Sequence, residues 1–236
     1  MIHAFEGKLA LVTGASRGIG AAIAEALGRE RAHVVLTART AAGLEDVEER
    51  IHAAGGSATI APLDLTDGES IGRLAKAVRE RWEALDLLVL NAATLGSLTP
   101  VPSIDGKEFN KVLTLNVLAQ QALIAAFDPM LRKSEAGRVV AITSSVGRTP
   151  RAFWGAYGAS KAALETLILS YGEEVRNIAP IRTAIVDPGS TATTMRARAY
   201  PGEDPASLKT PSVVADAVMK MLKGDFETGH RLEIGS

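Results

Sequence analysis

Residues 8–13, Lys-Leu-Ala-Leu-Val-Thr, run directly into Gly14-Ala15-Ser16-Arg17-Gly18-Ile19-Gly20 and then into the alanine-rich stretch 21–31. Apolar strand, glycine turn and helix, in that order, present free backbone N–H groups and the positive end of a helix to an anion at the turn. The spacing is G-x-x-x-G-x-G, not the G-x-G-x-x-G of the commonest dinucleotide fingerprint. Its physical logic is the same, because glycines permit the tight turn, the approach of a pyrophosphate and close packing of helix on strand. Taken alone, such a turn can also simply join two elements.

The rest of the chain repeats the alternation. Apolar runs at 33–38, 57–62, 86–91, 138–143, 181–186 and 231–234 read as strands, and 40–54, 67–82, 106–133, 155–171 and 212–223 as helices. The long stretch 106–133 is expected to be interrupted late, at Pro129. Asn116 in its apolar middle needs partners or a held water, since a buried unpaired amide costs stability. This alternation, with no repeat, low-complexity segment or linker, predicts an α/β fold: one Rossmann-type doubly wound domain over 1–236, with a mostly parallel seven-stranded sheet and helices on both faces. With 236 residues and 47% hydrophobic side chains the core is ample. The proline-punctuated stretch 193–211 departs from the pattern and is expected to be a mobile substrate loop.

The candidate chemical residues follow strand ends, where ligands bind in open α/β sheets. An NAD site usually ends its second strand with an acid bonded to the ribose 2′-hydroxyl, but here Ala38 and Arg39 stand there, with Arg17 inside the glycine turn. A carboxylate beside a 2′-phosphate would cost roughly 2 to 7 kcal/mol, whereas two arginines favour it, so NADP(H) is predicted over NAD(H). The other reading of both arginines is solvated surface charge. Asp64, with Leu65 and Thr66, either accepts from an adenine amino group or serves an Asx-turn or helix cap. Asn91-Ala92-Ala93-Thr94 makes a small-residue corner on which a ribose can lie, and Ser144 and Pro188-Gly189 follow later strands.

Tyr157 and Lys161 are four apart in the helical run 155–171, so phenol and ammonium share a face. Bringing a tyrosine from pKa ~10 to about 7 takes about 4 kcal/mol, which a cation at ~4 Å supplies only in a sheltered cleft of effective dielectric ~20. Phe153, Trp154, Met195 and Tyr200 line an apolar pocket or serve packing, and no cation cluster near them advertises an acidic substrate.

Other classes are disfavoured. Net charge is −1 with no basic stripe, so a nucleic-acid partner is not expected. There are no cysteines, and His3, His33, His52 and His230 are scattered, so no metal site is expected. No signal-peptide core and no window of ~18 uninterrupted apolar residues is present, so no membrane association and a cytoplasmic location are expected.

Taken together, Thr13-Gly14-x-x-x-Gly18-Ile19-Gly20, Asp64, Asn91-Ala92, Asn116, Ser144, Tyr157-x-x-x-Lys161 and Pro188-Gly189 resemble the classical short-chain dehydrogenase/reductase family, in order and spacing, over most of the chain. The resemblance implies that Tyr157 is the general acid for carbonyl reduction and the base in reverse, and that Lys161 lowers its pKa and binds the nicotinamide ribose. It implies that Ser144 bonds the substrate oxygen and that Asn116 holds a water linking Lys161 to solvent. Ser16, Arg17 and Arg39 would reach the 2′-phosphate, while Pro188, Gly189, Thr191 and Thr193 would face the nicotinamide. The implied partner is a small carbonyl or alcohol, the implied assembly a homotetramer or homodimer through the helices holding Asn116 and Tyr157, and no metal is required. The family's Asn-Asn-Ala-Gly reads Leu90-Asn91-Ala92-Ala93 here, so local repacking is expected, and little chain follows the last strand. An NADH-dependent enzyme, a cofactor-binding sensor without turnover, and an epimerase or dehydratase that recycles its cofactor are the competing readings.

Overall fold

Strands β1 (Leu9–Thr13) and β4 (Leu87–Leu90) are buried at every position, as an apolar run must be when both faces of its sheet are covered. The computed structural model describes residues 3–235; Met1, Ile2 and Ser236, part of the span expected to form one domain, lie outside the described residues. Among the described residues, β2 (His33–Ala38), β3 (Ser57–Pro62), β5 (Gly137–Ile142), β6 (Ile181–Asp187) and β7 (His230–Glu233) complete a seven-stranded sheet in the order β3-β2-β1-β4-β5-β6-β7. Every pairing in it is parallel, so the sheet is wholly rather than mostly so.

Side chains alternate across the pleat, and the two faces build two cores. Ala10 and Val12 point to the side covered by α1 (Gly18–Arg29), α2 (Ala42–Ala53) and α8 (Pro211–Lys223), where Ile23, Leu27, Leu44 and Val218 are buried. Leu9 and Leu11 point to the other side, against α3 (Gly68–Arg81), α5 (Ala119–Leu131) and α6 (Gly155–Val175), with Leu74, Phe127 and Ile168. The chain leaves β1 toward β2 and β3 and returns to β4 on β1's other side, so the order reverses between β1 and β4. That reversal opens a crevice at their carboxyl ends.

Two helical expectations need correction. Pro129 does not interrupt its helix but lies inside α5, two residues before its end. The irregularity falls earlier, where α4 (Gly106–Leu113) passes into α5 through a π-turn at Thr114–Leu118 that holds Asn116. Residues Gly106–Leu131 form a run long and apolar enough to cross a membrane, yet Leu123 and Phe127 on it are wholly buried in the sheet's core. The stretch 193–211 is partly ordered as α7 (Thr194–Ala199) and a 3-10 turn at Pro205–Ser207, closed at its base by a bridge between Thr191 and Lys209.

Candidate active site

The crevice is a cavity of about 960 Å³. Its floor is stitched from the ends of β1 and β4. Asn91 Nδ2 donates to the carbonyls of Thr13 and Gly14, at 2.9 and 3.2 Å, while the Thr13 hydroxyl donates to Val89 O and accepts from the N–H groups of Asn91 and Ala92. Gly14 takes a positive φ of 64°, and a Cβ there would stand 2.9 Å from Asn91 Nδ2. At Gly20 a Cβ would stand 2.5 Å from the same nitrogen, so Gly20 packs α1 onto the strand ends behind the cavity wall. Gly18, with φ +59°, faces the cavity, where a Cβ would meet only Thr193 at 3.6 Å. Arg17 precedes α1 in extended backbone and makes no side-chain cap bond, so the helix's first N–H groups have no side-chain partner at the cavity edge. A site of this kind fits an anionic phosphate.

Arg17, Arg39, Ser16, Asp64 and Leu65 line that end of the cavity, beside Ala38 at the end of β2. Asp64 makes the Asx-turn foreseen as one of its two roles: its Oδ1 accepts from the N–H and hydroxyl of Thr66, at 2.9 and 2.8 Å. Those bonds, with the nearby Arg39 charge, hold its carboxyl below the usual carboxylate range despite some burial. The substituted corner needs no glycine. Among the described residues Arg31 and Phe153 are the non-glycines with positive φ, so Ala93 lies in ordinary backbone space.

At the other end α6 brings Tyr157 and Lys161 onto one face, with Lys161 Nζ 5.6 Å from the centre of the Tyr157 ring and donating to Ile142 O at 2.8 Å. Both side chains are buried. Burial pushes the phenol up, with Asp187 adding to the effect, and pulls the ammonium down to about 8 against the opposing charge of Glu165. The expected lowering of Tyr157 by Lys161 is not found here: desolvation sets the direction of the phenol's shift. Ser144 stands at the cavity wall, its hydroxyl accepting from Val146 N at 3.5 Å.

Asn116 is wholly buried behind the wall. The π-turn aims it inward: Oδ1 accepts from Thr94 N at 2.8 Å, and Nδ2 donates to Thr94 O at 2.9 Å and Ser160 Oγ at 3.0 Å. Since Ser160 in turn donates to Tyr157 O, the amide ties the Ala92–Thr94 corner to the turn of α6 that carries Tyr157. Pro188, Gly189, Thr191 and Thr193 line the cavity. Thr191 donates to Pro188 O at 3.0 Å, and Thr193 caps α7 by accepting from Arg196 N at 3.1 Å. Lys209 anchors the loop's far end by donating to Ile234 O at 2.7 Å and to Gly235 O.

The apolar wall differs in part from expectation. Trp154 and Met195 line it and pack with Leu95, Val146 and Tyr157, while Phe153 points out, 55% exposed. Phe153 sits at φ +73°, which turns the chain so that Trp154, the next residue, enters the cavity and meets Tyr157 edge-on at 5.9 Å. Tyr200 stacks on Trp154 at 5.8 Å from outside the lining. Lys111, Arg196 and Arg198 also line the cavity, and Arg196 lies over the Tyr200 ring, so cations do stand near the apolar residues that the sequence reading left without them. Arg196 and Arg198 stand between Met195 and Tyr200 in the sequence itself, whereas Lys111 reaches the cavity from the distant α4.

The family model described as "short chain dehydrogenase" matches residues 8–204. An uncharacterized oxidoreductase, YciK of Escherichia coli K12, is 36% identical over 221 residues, covering 92% of this chain and 87% of the relative. Among solved structures, a short chain dehydrogenase from Shigella flexneri complexed with NADP superposes with a TM-score of 0.93 at 35% identity, over 99% of both chains. One from Escherichia coli CFT073 complexed with NADPH gives 0.91 at 36% identity, over 99% of this chain and 98% of that one. With the parallel sheet and its crevice, these likenesses identify the chain as an oxidoreductase of the short-chain dehydrogenase/reductase family.

Proposed function

We propose that this protein is an NADP(H)-dependent reductase that interconverts a carbonyl and a secondary alcohol. The observation that carries the reading is one cavity with Tyr157, Ser144 and Lys161 at one end and Arg17 and Arg39 at the other, where β2 ends without an acid. The NADP and NADPH bound to the two solved relatives support the same cofactor here.

In this reading Arg17, Arg39 and Ser16 take the 2′-phosphate, and the N–H groups from Gly14 to Ile19 take the pyrophosphate. Asp64 and Leu65 flank the adenine, Asn91 and Ala92 carry the ribose, and Pro188, Gly189, Thr191 and Thr193 face the nicotinamide. NADPH, when bound, supplies the hydride. Ser144 donates a hydrogen bond to the substrate oxygen, which aligns the carbonyl. Tyr157, kept neutral by burial, gives its proton to that oxygen as negative charge develops there. Lys161, adjacent and cationic below about pH 8, stabilises the phenolate left behind until solvent returns the proton. Asn116 positions this group through Ser160 and Thr94. Assembly as a dimer or tetramer is part of the proposal: Leu118, 60% exposed beside the π-turn, offers apolar surface to a partner copy, and light scattering gives the mass.

Fluorescence titration with NADPH and NADH, followed by a ketone and aldehyde panel monitored for cofactor oxidation, tests the reading. Tighter binding of NADPH with turnover is expected. Binding without turnover on any carbonyl would favour a sensor, and binding of neither cofactor would overturn the assignment.

A further inference from the structure

The cavity has a charge pattern that proton and hydride transfer do not use. Among the described residues six cationic side chains line it, Arg17, Arg39, Lys111, Lys161, Arg196 and Arg198, against the single carboxylate of Asp64. Four of the six already have work. Arg17 and Arg39 stand by the glycine turn and the end of β2, and Lys161 is bonded to Ile142 O. Arg196 makes two 2.6 Å bonds to Glu203 and lies over the Tyr200 ring at 3.9 Å. Among the described residues, Lys111 and Arg198 form no ion pair with any carboxylate within 4.0 Å. Asp64 is held by Thr66 and stands near Arg39.

Helical spacing explains how the two free cations reach one cavity. Lys111 lies three and four residues before Thr114 and Leu115, and Arg198 lies three after Met195. Residues at these spacings share a helix face, and all five line the cavity. Both cations are exposed, as rim groups are, while Leu95 and Tyr157 in the same lining are buried and Trp154 and Met195 half-buried. Resting on the reductase reading, we propose that the substrate is amphiphilic: an apolar chain or ring places its carbonyl at Tyr157 and ends in an anionic group, carboxylate or phosphate, held by Lys111 and Arg198. A low-dielectric apolar wall below the rim strengthens such pairing relative to open water.

The test offers a straight-chain methyl ketone in three forms, with a terminal carboxylate, its methyl ester or a terminal phosphate, at several chain lengths. At the fitting length one of the anions is expected to exceed the ester in kcat/KM by about tenfold, and the preferred anion identifies the source. In the double variant Lys111→Ala, Arg198→Ala that ratio is expected to fall toward one. No preference for either anion at any length, or an equal fall for anion and ester with a raised KM for NADPH, would overturn the proposal by assigning these cations to solvent or to cofactor. Calorimetry of decanoate and methyl decanoate on the NADP+-saturated protein reads the anion site without turnover. Tighter binding of decanoate, lost in the double variant, sustains it even if every ketone is inert, in which case the reductase reading falls instead. Ketone turnover with no charge preference and equal binding of the two ligands removes the anion site and leaves the reductase standing.

Discussion

Tyr157 and Lys161 are the residues in which burial and function meet most directly. A phenol that burial keeps protonated is suited to donate a proton, and in the proposed reading it contributes little to cofactor binding. Tyr157→Phe is therefore expected to lower kcat by about 10²–10⁴ while NADPH affinity, read by fluorescence titration, stays near that of the parent. Simultaneous loss of affinity would mean that the hydroxyl serves binding. Lys161 carries the pH dependence. Its ammonium is lowered from the usual 10.5 to about 8, so it is charged below about 8 and neutral above. kcat/KM for carbonyl reduction, which reports the free enzyme, is expected to decline as pH rises through about 8, and a flat profile from 7 to 9.5 would remove Lys161 from the step. The same shift has an opposite sign for stability: between about 8 and 10.5 the unfolded chain holds a proton that the folded chain has released, so this group's contribution to folding improves as pH rises across that window. Spacing in the sequence put phenol and ammonium side by side, but not the result of their competition with desolvation, which depends on how completely the cleft closes around them.

At the scale of elements, the strands were legible and the helix irregularity was not. A strand covered on both faces reads as an unbroken apolar run, as at β1 and β4; the edge strands β3 and β7 are only partly buried, and β7, His-Arg-Leu-Glu, is mostly polar, yet all seven fall within a residue of the stretches read as strands. The π-turn at Thr114–Leu118 has no such mark, because one extra residue in a turn leaves the apolar pattern on either side intact. What the sequence did offer was a polar residue among apolar ones, and Asn116 proves to be what the distortion aims inward. Asn116→Leu would strand Thr94 N, Thr94 O and the Ser160 hydroxyl without this partner, and an unsatisfied buried group costs about 1–3 kcal/mol. Denaturant unfolding is expected to give at least about 2 kcal/mol of destabilisation, and a loss below about 0.5 kcal/mol would mean that the corner and α6 are held together by other contacts. The glycine turn divides its labour in the same legible-in-part way. Gly18→Ala makes only ordinary van der Waals contact with Thr193 and costs roughly the 1–2 kcal/mol of a left-handed alanine, whereas Gly20→Ala drives a methyl into Gly14 O and Asn91 Nδ2. Gly20→Ala is thus expected to be the more destabilising in the same measurement, and the reverse order would reassign which glycine seats the helix.

Over the whole molecule, the site is an outcome of topology: residues from both halves of the chain converge because the sheet reverses its order between β1 and β4. Motifs that follow strands, from Gly14 to Gly189, were therefore locatable in advance, while Lys111 and Arg198, carried by separate helices, come to line one cavity only through tertiary packing. One consequence is global. A cofactor bound as proposed would touch the ends of β1, β2, β3, β4 and β6, so its binding should stabilise the fold as a unit. At a concentration about 100 times its Kd, NADP+ contributes about 2.7 kcal/mol, equivalent to about 5–10 °C in Tm for a chain of this length. NAD+ at the same concentration is expected to give a smaller shift, since it lacks the phosphate that Arg17 and Arg39 would meet. Arg39→Ala is then expected to bring the NADP+ shift down toward that of NAD+ and to leave the NAD+ shift nearly unchanged. Equal shifts from the two cofactors in the parent, or an equal drop for both in the variant, would place the arginine outside the phosphate's reach and return the absence of an acid after β2 to chance.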